Sequence, residues 1–132
     1  MGFTTRIDHE RREIYATAEG PITLEDIRQH LMEGHKEGAL NYPEVCDARK
    51  AQPHFSASDV RAVVETMRML SKESPLGAAA IIVDSDLAFG MMRMLEMLVG
   101  DVCPLRPFRT PAEADWWIDN LRAQNAAGTS PS

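Results

Sequence analysis

Residues 78–83 read AAAIIV, six apolar positions in a row, set between Ser74-Pro75-Leu76-Gly77 and Asp84-Ser85-Asp86. A strand with one wet face alternates apolar and polar residues. A strand covered on both faces does not, and its run is continuous and short. The segment therefore asks for a layered α/β fold, with helices packed on both sides of a largely parallel sheet.

The rest of the chain supplies those layers. Phe3, Thr5 and Ile7 alternate with polar residues, as do Ile14, Ala16 and Ala18, and a charged stretch at 8–11 separates them. Two such runs predict a β-hairpin, which Gly20-Pro21 is expected to break. Thr23 and Asp26 resemble a capping box, and Leu24, Ile27 and Leu31 follow on one helical face. Gly34 and Gly38 offer two stops. Asn41-Tyr42-Pro43 precedes a short strand at 44–48, then a loop at 49–55. Ser56 and Asp59 cap a second helix, whose stripe is Val60, Val63, Val64, Met67 and Leu70. Asp84-Ser85-Asp86 opens a third helix at 87–99, closed by Gly100, and Pro104 and Pro107 bracket an edge strand at 105–108. Thr110, Pro111 and Glu113 start a fourth helix, with Ala114, Trp117, Ile118 and Leu121 buried.

The predicted order is β-β-α-β-α-β-α-β-α: an α/β domain with an N-terminal hairpin, a mixed, mostly parallel sheet of about five strands, and four helices. Right-handed crossovers join the parallel strands. Residues 1–125 form the single domain and residues 126–132 (AAGTSPS) a flexible tail.

Charge and cysteine usage narrow the function. The 132-residue chain carries a formal net charge of −6, the wrong sign for releasing counterions from nucleic acid. No apolar stretch approaches the roughly 20 residues of a membrane span, so membrane insertion is not expected. Residues 1–7 hold no apolar core of a signal peptide, and Cys46 and Cys103 lack any paired spacing. Reduced thiols and a cytoplasmic address follow as expectations. His30 and His35 diverge by about 140° on a helix, His9 falls in the hairpin turn and His54 in a loop. Solvated surface histidines, with no metal and no cofactor, are expected. Phosphate-binding loops and nucleophile elbows are absent from the sequence.

Three groups of residues remain as candidates. In open α/β sheets ligands bind at the carboxyl ends of the strands. That rim gathers Asp47 and Arg49, then Asp84, Ser85 and Asp86, then Arg109 and Thr110, where strand-end carboxylates are the raw material of a small enzyme. Ser56 and Ser58, at the start of the second helix, form a candidate switch or ligand rim with them, although capping alone accounts for Ser56. In the methionine-rich third helix, Leu87, Met91, Met94, Leu95 and Leu98 form the expected core stripe. Phe89 and Met92 lie off it, as does Trp116 on the fourth helix, and these three make a candidate interface for a homodimer or another protein. Eight methionines also suit an adaptable pocket for a small apolar ligand.

The segments IYATAEGPITLEDI, EVCDARKA, DSDLAFGMMRM and AEADWWI resemble the bacterial STAS-like (SpoIIAA-like) domains, the fold of anti-sigma-factor antagonists, and within them a branch with little assigned chemistry. The resemblance implies a non-enzymatic binding or regulatory module acting through protein contacts. It also implies a serine, in the loop after the central strand, that a partner kinase phosphorylates. Asp47 matches the aspartate ending that strand and Ser56 or Ser58 falls near the switch position, while the Asp-Ser-Ser-Gly run of those antagonists is absent. Lipid-transfer relatives of the fold hold apolar ligands.

Overall fold

A computed structural model of the chain describes residues 2–128. The elements are β1 (Gly2–Asp8), β2 (Glu13–Ile22), α1 (Leu24–Lys36), β3 (Glu44–Pro53), α2 (Ala57–Ser71), β4 (Ala79–Ile82), α3 (Asp86–Val99), β5 (Leu105–Phe108) and α4 (Pro111–Gly128). Their order is the one expected. The five strands lie in sequence order, β1-β2-β3-β4-β5, with β1 antiparallel to β2 and each later pair parallel.

This order decides where the helices go. Every parallel crossover steps the same way across the sheet, so right-handed connections put α1, α2 and α3 on one face. Val60, Val63, Val64 and Met67 of α2 and Leu95 and Val99 of α3 pack there above Leu105. The final helix has no further strand to reach and closes the opposite face, where Ala114, Trp117 and Ile118 meet Val45, Ala80 and Ile82. Residues 78–83 therefore need no alternation: Ala79 and Ile81 face three helices and Ala80 and Ile82 face the fourth. Ile82 is fully buried.

Side-chain caps open the helices as the sequence suggests. Thr23 Oγ1 accepts from the Asp26 amide at 3.2 Å while Asp26 accepts from the Thr23 amide at 2.9 Å. Ser56 and Asp59 repeat the box at 3.1 and 2.9 Å. Ser85 accepts from the Ala88 amide at 3.1 Å, and Thr110 from that of Glu113 at 3.3 Å. Each cap satisfies an amide that the helix itself cannot.

Three expectations are corrected. Gly20-Pro21 does not end β2: the strand runs to Ile22, with Gly20 at φ 73°, a conformation cheap only for glycine. Likewise β3 does not stop at Ala48 but pairs with β2 as far as Ile22↔Pro53. Proline is tolerated because β4 pairs with β3 only up to Asp47↔Ile82, leaving the far end of β3 with a free side. Third, the inward face of α3 is broader than the expected stripe and begins later: Met91, Met94, Leu95 and Leu98 pack on the core as expected, Met92 and Val99 join them, and Leu87 does not. Leu95 and Val99 are buried, whereas Leu87 is 65% exposed. A helix that is apolar at nearly every position does not fix the limits of its inward face by periodicity. At the C-terminus, α4 takes in residues 126–128 of the expected tail, and residues 129–132 lie outside those described.

One irregularity shapes the interior. The β2–β3 register shifts between Thr17↔Asp47 and Glu19↔Lys50, so Ala48 and Arg49 oppose Ala18 alone, as in a β-bulge. Side-chain alternation along β3 changes phase there. Glu44, Cys46 and Ala48 face the three helices before the bulge, and Ala51 and Pro53 after it. The floor beneath α1 is thus made of small residues: Ala16, Ala18, Cys46, Ala48 and Ala51. No residue of α1 is fully buried, and its chief neighbours are α2 and, in the sheet, β1.

Candidate functional site

The strand-end rim assembles as small local pairs. Arg49 donates from Nε to Asp47 Oδ1 at 2.9 Å and from Nη2 to Oδ2 at 2.7 Å. This side-chain hydrogen bonding holds the Asp47 carboxyl below its usual range, against a smaller opposing effect of burial. An ionised, paired carboxylate is poorly suited to donate a proton near neutrality. Arg109 reaches across to the turn before α3, donating to the Asp84 carbonyl at 3.3 Å and to Asp86 Oδ1 at 2.7 Å. Its guanidinium also lies 4.6 Å above the Phe89 ring, so Phe89 is partly covered from within the chain. Ser56 and Ser85 are occupied as caps. Ser58 is exposed in the first turn of α2.

The interface candidates divide. Trp116 is 68% exposed on α4, while its neighbour Trp117 is buried against the sheet beside Phe108 and under Arg106. Met92 instead turns toward the core. The exposed apolar side chains of α3 are Leu87 and Met97.

The second location is interior. A cavity of about 180 Å³ lies between the sheet and the three helices, lined by groups that include Phe3, Ala18, Ile27, Leu31, Ala48 and Phe55. Two polar side chains, His30 and Glu44, stand on its otherwise mostly apolar wall. They are only 10% and 17% exposed, and His30 Nε2 lies 2.9 Å from Glu44 Oε2 and 3.1 Å from Oε1. His30 Nδ1 is 3.2 Å from Thr5 Oγ1, and the ring stacks on Phe3 with centroids 4.3 Å apart. Burial pulls the imidazolium pKa down, but the hydrogen bond and charge of Glu44, helped by Glu33, more than offset it, so the net shift is upward. A cationic ring satisfies this geometry at both nitrogens, donating to Glu44 and to Thr5.

His30 is therefore not one of the solvated surface histidines that the sequence leads one to expect. The signals were present but weak. His30 adjoins Leu31 and follows Ile27 by three residues, on the apolar side of α1. Glu44 shares its parity along β3 with buried Cys46. A carboxylate at an inward strand position demands a partner.

Cys46 and Cys103 are both buried and unpaired by disulfide, and both line the cavity. Burial raises the Cys46 thiol well above its usual value and pushes Cys103 up to about 12. Cys103 also donates to the Gly77 carbonyl at 3.3 Å. At pH 8 a thiol of that pKa is thiolate in only about one molecule in ten thousand. The native protein is therefore expected to leave both cysteines unlabelled by an aromatic disulfide reagent, with full reaction in denaturant. Prompt labelling of either thiol in the folded state would contradict this burial.

Among the described residues no group of three or more His, Cys, Asp or Glu side chains is placed to hold a metal ion, and no helix is long and apolar enough to cross a membrane. A hairpin leading into three β-α-β crossovers whose helices share one face, with one helix closing the second face, defines an α/β domain of the SpoIIAA-like fold. Solved structures share this architecture. A protein of the DUF3478 family with a SpoIIAA-like fold, from Shewanella loihica PV-4, superposes with a TM-score of 0.59 at 19% identity, over 89% of this chain and 93% of that one. The anti-sigma factor antagonist SpoIIAA in its unphosphorylated form superposes with a TM-score of 0.55 at 17% identity, over 92% and 98%. No family model matches the sequence, and no curated protein does. At these identities the likeness establishes the fold.

Proposed function

We propose that this chain is a non-enzymatic binding module that acts through protein contacts, with a second copy of itself as its first partner. The observation that carries the reading is the presence of large exposed apolar side chains on the two helices that contact the edge strand β5: Leu87 and Met97 on α3, and Trp116 on α4, at 65%, 80% and 68% exposure. Large apolar groups left in water next to charged ones are the usual material of an interface, and tryptophan is the residue most often found at its energetic centre. Phe89 belongs to the same region, with Arg109 above it. Support also comes from the anti-sigma factor antagonist of the same fold, a protein whose name describes opposition to a protein partner.

A phospho-switch fits the same module. Ser56 is engaged in its capping box, so Ser58, exposed one turn position from the α2 N-terminus, is the serine on which a phosphate would meet free backbone amides without dismantling a cap. The reading places the protein in a bacterial cytoplasm, where such kinases and partners reside.

Sedimentation velocity tests the self-association. The wild-type protein is expected to dimerise at micromolar concentration, and Trp116→Ser or Met97→Lys to weaken the dimer at least tenfold, as removal of a central anchor does. A wild-type protein that stays monomeric at several hundred micromolar, or a dimer indifferent to both substitutions, would overturn it.

A further inference from the structure

We propose that the free edge of β1 pairs with the same edge of a second copy, antiparallel about a two-fold axis through Thr5, joining two sheets into one. This edge is the far side of the sheet from β5, and its pairing does not depend on the exposed side chains of α3 and α4.

The direction of the backbone groups along β1 follows from its neighbour. The Ile14 amide donates to the Pro43 carbonyl, and the Ile22 carbonyl accepts from the His54 amide. The even-numbered residues of β2 therefore turn their backbone groups toward β3, and the odd-numbered ones toward β1, where Tyr15 opposes Arg6 and Thr17 opposes Thr4. Phe3, Thr5 and Ile7 are left with N–H and C=O groups that point out of the sheet. β1 ends the strand order, and these groups have no backbone partner among the described residues.

An open edge invites another strand, and proteins that avoid this blunt it with proline, lysine, a bulge or brevity. β5 is blunted. It has four residues, and the Ala79 and Val83 amides donate to the Pro104 and Phe108 carbonyls. Leu105 and Pro107 therefore face outward, and Pro107 has no N–H to offer. β1 has seven residues, no proline and no lysine, and it pairs with β2 without a shift in register.

The sequence of β1 is also its own complement. With Thr5 opposite Thr5, Phe3 falls opposite Ile7, Thr4 opposite Arg6 and Gly2 opposite Asp8. Both members of each pair then lie on one face, as an antiparallel sheet requires. Apolar groups meet on the helix side, where Phe3 and Ile7 already pack, and no like charges stand opposite each other. The outward groups of Phe3, Thr5 and Ile7 form three pairs, each exchanging two hydrogen bonds. Neighbouring registers are poorer. Centring on Thr4 or on Arg6 forms only two such pairs, and the latter also sets two guanidinium groups opposite each other.

Amide spectra of Trp116→Ser/Met97→Lys, which lacks the α3 and α4 anchors, test the edge between about 50 μM and 2 mM protein. Pairing is expected with a Kd on the order of 0.1–1 mM, as suits a small contact. The amides of Phe3, Thr5 and Ile7 should shift with concentration and exchange with water severalfold more slowly. Those of Thr4 and Arg6, already turned toward β2, should stay nearly unchanged. On the same background, Thr5→Pro deletes an outward N–H, which an edge strand tolerates, and should weaken pairing at least tenfold. That change also removes the hydroxyl beside His30, so the exposed Thr4 supplies the second test. Thr4→Glu, opposite Arg6, should tighten pairing about threefold and Thr4→Lys loosen it by as much. Amides of β1 indifferent to concentration would overturn the proposal and leave the edge to a strand of another protein. So would undiminished pairing in a folded Thr5→Pro, or Thr4→Glu and Thr4→Lys acting alike.

Discussion

Gly77→Ala is expected to cost about 3 kcal/mol or more, enough to remove a large part of the stability of a domain this size. A methyl group at Gly77 would collide with the carbonyl carbon and oxygen of Tyr42 and stand 2.8 Å from the Asn41 carbonyl oxygen. These are backbone atoms, so no rotamer change relieves the overlap. Nor is the backbone free to slide. The Gly77 amide donates to the Leu40 carbonyl at 2.8 Å, its carbonyl accepts from Cys103, and the next carbonyl, of Ala78, accepts from Glu44 at 2.8 Å. A shift at 77 would therefore disturb the starts of β3 and β4 together. Urea unfolding should show the midpoint falling by on the order of 2 M. Gly90→Ala is the control: it sits in α3 with open space around it, and should be neutral or stabilising by up to about 1 kcal/mol. A Gly77→Ala midpoint within a few tenths molar of wild type would show that the two connections do not press together in solution.

The second large effect belongs to His30 and Glu44, and it depends on pH. The folded-state pKa of His30 lies above its ordinary value of 6.5, so the folded protein holds that proton more tightly than the unfolded chain. The resulting stabilisation is complete below pH 6.5 and is lost as pH rises through the folded pKa. Glu44→Gln removes the cause of the rise and leaves burial, which acts in the opposite direction. At pH 5.5 the variant should be less stable by about 3 kcal/mol, the scale of a buried pair that loses one partner. As pH rises through the folded pKa and the imidazole loses its proton, the difference should shrink substantially. Urea midpoints from pH 5.5 to 8.5 check this, with His30→Leu as a reference that lacks the titrating ring. Parallel pH profiles for wild type and Glu44→Gln would rule out the coupling.

The same two residues mark where sequence reasoning runs out. Element order was legible because its signals are local: the capping boxes at Thr23 and Ser56, the unbroken run at 78–83, and the valine stripe of α2 each lie within a few residues. Gly20-Pro21 does not end β2, and residues 49–53 continue β3, because each segment needs a ladder partner on one side only: β2 pairs with β1 up to Glu19 and β3 with β4 up to Asp47. The full width of the inward face of α3, which takes in Met92 and Val99 beside the expected stripe, was hidden by too many apolar residues rather than too few. His30 and Glu44 sit on different elements, 14 residues apart, and their meeting depends on how α1 is seated on the sheet. Local periodicity carries no record of that. At the rim, residue types suggested carboxylate chemistry, but only geometry shows that Arg49 neutralises Asp47 and Arg109 bridges Asp86.

A sheet whose strands lie in the order of synthesis also has a history built into it. Each strand joins the edge left by the one before, so no pairing waits for a segment made much later, and loop-closure costs stay low. Emerging from a ribosome, the chain can add one β-α unit at a time to a growing edge. The exception is α4, the last helix, which must return across β5 and β4 to reach Val45, Ala80 and Ile82. Until it arrives, the whole apolar second face of β3 and β4 stays in water. The nascent domain is thus most prone to aggregate or to recruit a chaperone in the interval between completing β5 and docking Trp117.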